Sequence, residues 1–344
     1  MLGATDATVW PRFVASNDEI DQIERLLCEI SRRYRQTDTP QFLGDVNVLA
    51  HELPRRLRLY INEMRLSENG SLFMVSGLPI DEQRLTSTPV HWRDRGEAGR
   101  QEEFFLVLCA SLLGDVFGWA TQQDGRLVNE VLPVKGHENQ QLGTASAVEL
   151  TWHTEDAFHP YRADYLGLLC LRNPQRVATT VCRLSDVGPT LTLPVLWETR
   201  FLIRPDNSHL PQHNSADVVD RGWDYFTRIL EMSNHPHEVS VLYGSRTAPC
   251  WRIDPDFIDV RPGDEAAREA LQQLIEAISE SLFDVVLMPG DILFLDNHRA
   301  VHGRRPFRAS YDGNDRWLKR INVTRDLRKS EDARGHPLLR MIGA

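Results

Sequence analysis

Two histidines and one glutamate set the chemistry open to this sequence. Glu155 follows His153 by two positions, and His302 lies 149 residues beyond His153, in Arg299-Ala-Val-His302-Gly-Arg-Arg. A His, a nearby carboxylate and a distant His can take one face of an octahedral Fe(II), leaving three positions for a cosubstrate and O2. In an extended segment His153 and Glu155 project to the same side, because side chains alternate. The triplet alone also describes a structural histidine beside a surface glutamate, so the downstream residues carry the weight. The same donors can hold catalytic zinc. Zinc hydrolases commonly place two histidines four apart on a helix around a glutamate base. This chain does not, which favours iron and leaves a zinc-dependent hydrolase as the alternative from another class.

Arg316 and Arg320 lie 14 and 18 residues past His302. In an extended Asp315-Arg-Trp-Leu-Lys-Arg320, positions 316, 318 and 320 share a face, so two guanidinium groups aim the same way. Arginine suits bidentate carboxylate recognition, and a dicarboxylate that chelates iron at one end needs such an anchor at the other. The alternative is a pair of solvated charges; Trp317, Leu318, Ile321 and Val323 favour burial. Arg252-Ile-Asp254-Pro-Asp256 puts two carboxylates on one face of an extended piece, a fit for a planar guanidinium, or else forms a surface Asp-Pro-Asp turn.

These residues need strands to position them. Short apolar runs bounded by Gly, Pro, Asn or Asp predict strands at 165–171, 178–184, 201–204, 239–243, 251–253, 285–288, 291–295 and 317–324, with another at 71–76. Ser16-x-x-Glu19 is a capping box ahead of Ile20, Ile23, Leu27, Ile30 and Tyr34, predicting a helix over 17–36. Further helices are expected at 51–66, with Pro54 in the first turn, and at 102–113 and 264–282. Helices first, then many strands with helical insertions, predict a mainly β, α+β chain. Its core would be a jelly roll with helices outside, not an alternating βαβ fold. No linker or repeat divides it, so residues 1–344 read as one domain with a helical N-terminal part over about 1–70.

Composition narrows the partners. The net charge of −10 argues against nucleic acid and anionic membranes. No apolar run approaches the ~20 residues that span a bilayer, and Met-Leu-Gly-Ala-Thr-Asp shows no signal peptide. Cys28, Cys109, Cys170, Cys182 and Cys250 are odd in number and lack a C-x-x-C pair, which fits reduced thiols in the cytoplasm. The basic residues are nearly all arginine; lysine appears only at 135, 319 and 329.

His153-Thr-Glu155, the distal His302 and Arg316 together resemble the clavaminate-synthase-like Fe(II)/2-oxoglutarate oxygenases. Longer strings extend the likeness to the free L-arginine hydroxylases of viomycin and streptothricin biosynthesis. They are Thr-Pro-Val-His-Trp-Arg (88–93), Leu-Leu-Gly-Asp-Val-Phe-Gly-Trp-Ala-Thr-Gln-Gln-Asp-Gly (112–125), His-Thr-Glu-Asp-Ala-Phe (153–158), Phe-Leu-Ile-Arg-Pro-Asp (201–206) and Asp-Arg-Trp-Leu-Lys-Arg-Ile-Asn (315–322). The resemblance implies a distorted double-stranded β-helix (cupin-like) core, with His153, Glu155 and His302 on iron and with 2-oxoglutarate and O2 as cosubstrates. It implies Arg316 and Thr180 on 2-oxoglutarate and Arg320 on the substrate carboxylate. Gln122 and Glu155 would take the amino group, Asp254 and Asp256 the guanidinium, and Asp206 a place on a lid over about 204–216. The implied activity is hydroxylation of free L-arginine at C3, with C4 left open, for a peptide antibiotic. A cyclic guanidino amino acid such as enduracididine or capreomycidine is the alternative substrate. One position departs: Gly143 stands where arginine-hydroxylating members can carry a substrate-contacting serine. His159 is expected behind the metal ligands or on the lid.

Overall fold

The computed structural model describes residues 10–67, 70–334 and 340–343. The N-terminal hexapeptide with its leader reading lies outside them, as does the start of the expected 1–70 helical part. Two facing sheets make the centre. The larger runs, in spatial order, Arg12–Val14, Leu72–Ser76, Ile292–Asp296, Tyr165–Arg172, Trp317–Thr324, Asp115–Trp119 and Met341–Ile342; Val128–Val131 also pairs with Trp317–Thr324. The smaller runs Phe283–Val286, Ala178–Arg183, Ala300–Arg304 and Leu150–His153. This is the β-rich roll with outer helices that the sequence predicts.

Alternation explains how the layers assemble. Leu166, Leu168 and Cys170 point between the sheets, where Met74, Val181, Val285, Leu293 and Leu318 meet them. From the same strand Leu169 and Leu171 point outward, against Phe104, Leu108 and the other buried residues of the helix Arg100–Ser111. With both faces covered, Tyr165–Arg172 is buried along its whole length. The smaller sheet is covered in turn by the helix Glu265–Glu280, whose Leu271, Leu274 and Ile278 pack with Cys182 and Val301.

The N-terminal helices wrap the outside. Asn17–Arg33 starts at the expected capping box, with Ser16 N–H donating to Glu19 at 2.8 Å. The helix Pro40–Ala50 goes beyond the sequence reading, although Thr39-Pro40 is a proper start: Thr39 accepts from the Phe42 N–H, and proline at the first helical position gives up no bond. The next helix, Arg55–Leu66, begins after Pro54, so the expected 51–66 helix is shorter and Pro54 precedes it.

One buried ion set fixes which way the strand Trp317–Thr324 faces. Lys319 is fully buried toward the helices, donating to Glu103 at 2.9 Å and Glu130 at 2.6 Å. Burial opposes the charge on Glu103, but Lys319 and Arg95 bring it down to about 2. Losing one member of such a set costs roughly 3–5 kcal/mol. With Lys319 held outward, Leu318 and Arg320 must face the interior.

Candidate functional site

His153 ends the strand Leu150–His153 and pairs directly with His302 in Ala300–Arg304. That register puts both imidazoles on one face, with ring centroids 4.7 Å apart. Neither short strand was in the sequence reading, because Leu-Thr-Trp-His and Ala-Val-His-Gly-Arg are only four and five residues long and mix polar with apolar positions. Glu155 lies beyond the strand, in a turn. Its N–H donates to Asn297 Oδ1 at 2.7 Å, and Asn297 Nδ2 donates back to the Glu155 carbonyl at 3.0 Å. Between the two ligand positions, the Thr154 N–H donates to the Ile253 carbonyl at 2.8 Å. The carboxylate is therefore placed by a pinned turn, not by strand alternation.

Glu155 Oε2 stands 3.7 Å from His153 Nε2 and 3.4 Å from His302 Nε2. The three candidate ligand atoms lie within 4.8 Å of one another. Glu155 Oε2 is buried without a hydrogen-bond donor. An unpaired buried carboxylate oxygen is costly, and a cation at the point shared with the two imidazoles relieves it. His153 Nδ1 sits 2.8 Å from the Thr151 carbonyl. A carbonyl only accepts, so the proton is on Nδ1 and the Nε2 lone pair is free for a metal. Burial disfavours ionisation of Glu155, yet Arg320 and both imidazoles hold its carboxyl well below the usual range. Two nitrogens and one anionic oxygen on one face, beside an open cavity, suit Fe(II).

Arg316, Leu318 and Arg320 line that cavity together, as their shared face requires. Arg316 is buried, its Nε has no partner, and no carboxylate pairs with it among the described residues. Burial brings its pKa down to about 10. Arg304, which sequence reasoning left without a role, lines the same wall. It sits two residues past His302 on the same strand face, the periodicity signal that could have found it. Burial, then the charge of Arg316, brings it down to about 9.

Thr180 is a correction. Across the sheet Val181 pairs with His302, Thr180 with Gly303 and Thr179 with Arg304. Alternation therefore puts Thr179 on the cavity wall. Thr180 Oγ1 faces the other way, where a Cβ on Gly303 would meet it at 2.7 Å.

Gln122, Glu155 and Arg320 do come together. Arg320 donates to Glu155 Oε1, to Gln122 Oε1 at 2.7 Å and to Asn129 Oδ1 at 2.9 Å. Asp254, Asp256 and Asp206 also line the cavity. The segment 254–257 is a turn, not an extended piece: the Asp256 N–H donates to Asp254 Oδ1 at 3.1 Å, and the Ile258 N–H to the Asp254 carbonyl at 2.8 Å. The turn reading of Asp-Pro-Asp holds and the extended one does not, yet both carboxylates line the cavity. Asp256 is exposed, while Asp254 is buried and pushed up to about 7, mainly by burial.

The 204–216 segment is a chain of short turns tied to the core. Asp206 accepts from the Ser208 N–H at 2.8 Å. His209, fully buried, reaches Asp156 at 2.9 Å and Thr121 at 2.7 Å. Asn214 donates to the Thr121 carbonyl at 2.8 Å. Asp156, Asp206 and His209 form a second cluster with metal-ligand geometry. The hydrogen bond between His209 and Asp156, with Asp206 3.8 Å from the same imidazole, explains it as a latch, and sequence spacing gave no sign of it. His159 packs on Trp119, ring centroids 4.3 Å apart, and is not among the triad. Gly143 lines the cavity wall, and a Cβ there would meet only Val131 Cγ1, at 3.8 Å.

A two-sheet roll carrying two histidines and one carboxylate beside a buried arginine defines a non-haem iron oxygenase. Comparison with known proteins agrees: residues 208–322 match the taurine catabolism dioxygenase TauD, TfdA family, and the chain belongs to it. The chain is 46% identical to the L-ornithine/L-arginine 3-hydroxylase of Catenulispora acidiphila, over 92% of this chain and 95% of that one. It is 43% identical to the enduracididine β-hydroxylase of Streptomyces hygroscopicus, over 95% and 98%. Among solved structures it is similar to the non-heme iron oxygenase OrfP in complex with Fe, succinate and (3S)-hydroxy-L-Arg. There the TM-score is 0.90 at 42% identity, covering 97% of this chain and all of the other. OrfP with Fe and α-ketoglutaric acid matches at 0.85. Membership in a dioxygenase family removes the zinc hydrolase. No helix among the described residues is long and apolar enough to cross a membrane.

Proposed function

We propose that this chain hydroxylates free L-arginine at C3, using Fe(II), 2-oxoglutarate and O2, in the cytoplasm and on the way to a peptide antibiotic. It works as a single domain with a lid over 204–216. The observation that carries the reading is one cavity holding an iron-type triad, a guanidinium at Arg320 and carboxylates at Asp254, Asp256 and Asp206. The 46% identical ornithine/arginine 3-hydroxylase supports it.

Iron with its cosubstrates supplies an oxidant able to hydroxylate an unactivated C–H bond. The protein supplies placement. His153, Glu155 and His302 hold the metal, and Arg316 pairs with the far carboxylate of 2-oxoglutarate. Arg320 takes the substrate carboxylate. Gln122 Oε1 and Glu155 Oε1, which accept from Arg320, turn to take the substrate ammonium. Asp254 and Asp256 receive the guanidinium, with Asp206 above it. Anchoring both ends leaves the middle of the carbon chain beside the metal, which selects C3 by proximity. The latched 204–216 segment keeps water out.

A cyclic guanidino amino acid is the second reading. The 43% identical enduracididine β-hydroxylase and the free space over Gly143 favour it. The test is incubation with Fe(II), 2-oxoglutarate, O2 and a panel of guanidino amino acids. Arginine should gain one oxygen with matching succinate. Failure of every guanidino compound, with turnover of asparagine or lysine, rejects the guanidinium assignment.

A further inference from the structure

The wall that bears His302 carries more positive charge than a single cosubstrate anchor requires. Arg304 and Arg316 are both more than nine-tenths buried, line one cavity, and each has a buried Nε without a partner. Neither is neutralised by a carboxylate among the described residues. The terminal nitrogens of Arg304 donate to the carbonyls of Ala145 and, at 2.8 Å, Val148, so its bonds go to neutral oxygens. Contrast Lys319, equally buried but flanked by Glu103 and Glu130. Two adjacent buried cations without counter-ions repel each other and pay desolvation, an arrangement that persists where an anion completes it. Arg304 also ties the 145–148 backbone to the His302 strand, so the cation and the cavity wall move as one.

We infer that Arg304 is a second, positioning cation of the dicarboxylate pocket: its charge strengthens the hold on the carboxylate that Arg316 contacts, and its carbonyl bonds keep that pocket's wall in place. The inference rests on the assignment of Arg316 to 2-oxoglutarate and extends it to a residue outside that assignment.

Succinate is the probe, titrated calorimetrically into iron-loaded protein without air, with no turnover involved. Arg304→Gln should weaken succinate about tenfold through the lost attraction of a nearby charge. Arg304→Lys keeps the charge and should recover most of the loss. Arg316→Gln should weaken it further. Arg305→Gln, whose parent pairs on the surface with Glu149 and Asp284, should bind like wild type. Propionate, with one carboxylate, should show a smaller difference between wild type and Arg304→Gln. Wild-type succinate affinity in Arg304→Gln overturns the role of Arg304 and leaves Arg316 in place. Unchanged affinity in both the Arg304 and Arg316 variants overturns the pocket itself. Loss in Arg304→Gln that Arg304→Lys does not recover, with a lowered melting temperature in both, assigns Arg304 to wall structure alone and overturns its electrostatic part.

Discussion

The proposed metal side and the proposed substrate side of this cavity are built from different material. His153, His302, Arg304 and Arg316 sit on or beside paired strands, with His153 and His302 locked opposite each other by register. Asp206, Asp254 and Asp256 sit on turns, one of them exposed and one tied to the core through His209 and Asp156. Register permits no small adjustment, since a one-residue slip turns every side chain to the other face. Turns permit many. Chemistry shared by a family can rest on the strands, while the choice of substrate can drift on the turns.

Breaking the strand side should have the larger effect. His302→Ala removes a proposed ligand and leaves Glu155 Oε2 with one imidazole fewer. Substrate-dependent succinate production should fall beyond the 10–100-fold typical of groups that only support a metal ligand. Arg316→Gln should raise KM for 2-oxoglutarate by about 10–100-fold through the lost charge-assisted pair, with little change in KM for arginine. Steady-state kinetics with each substrate varied in turn reads both.

The turn side should give smaller and more selective losses. Asp254→Asn should raise KM for arginine by about tenfold or more and leave KM for 2-oxoglutarate near wild type. Asp254 also predicts a pH effect. Its carboxyl is raised to about 7, so below that pH it is protonated and cannot pair with a guanidinium. KM for arginine should therefore fall as pH rises toward 7, by up to about tenfold per unit, then level off. A guanidinium favours the ionised form, so the substrate complex should show a lower pKa than the free enzyme. Asp254→Asn should flatten the profile. The smallest effect belongs to Gly143→Ser. The open space there predicts a change in melting temperature of no more than a degree or two, as for substitutions of about 0.5 kcal/mol or less. It also predicts a several-fold shift in preference between linear and cyclic guanidino amino acids, read by competition.

The same division governed what could be read from the chain. The roll and its outer helices were legible because Tyr165–Arg172 and Trp317–Thr324 are long apolar strands and Ser16-x-x-Glu19 is a capping signal. Arg316 and Arg320 came correctly to one face because alternation holds along their segment. The family resemblance, carried over without the strand register, pointed to Thr180 where Thr179 faces the cavity. Glu155 and Asp254 reach the site through turns pinned by Asn297 and by backbone bonds, partners 142 and a few residues away that no local pattern reveals. The His209–Asp156 latch was invisible for the same reason. The helix Pro40–Ala50 was a missed signal rather than an absent one.

The central claim is that His153, Glu155 and His302 share one ferrous ion with 2-oxoglutarate. The direct measurement is iron content, together with the visible charge-transfer absorption that forms when 2-oxoglutarate chelates protein-bound Fe(II) without air. Wild type should bind one iron per chain and show the band. His153→Ala, Glu155→Ala and His302→Ala should each lose or strongly weaken both while staying folded. A full band and one tightly bound iron in any two of these variants would contradict the account.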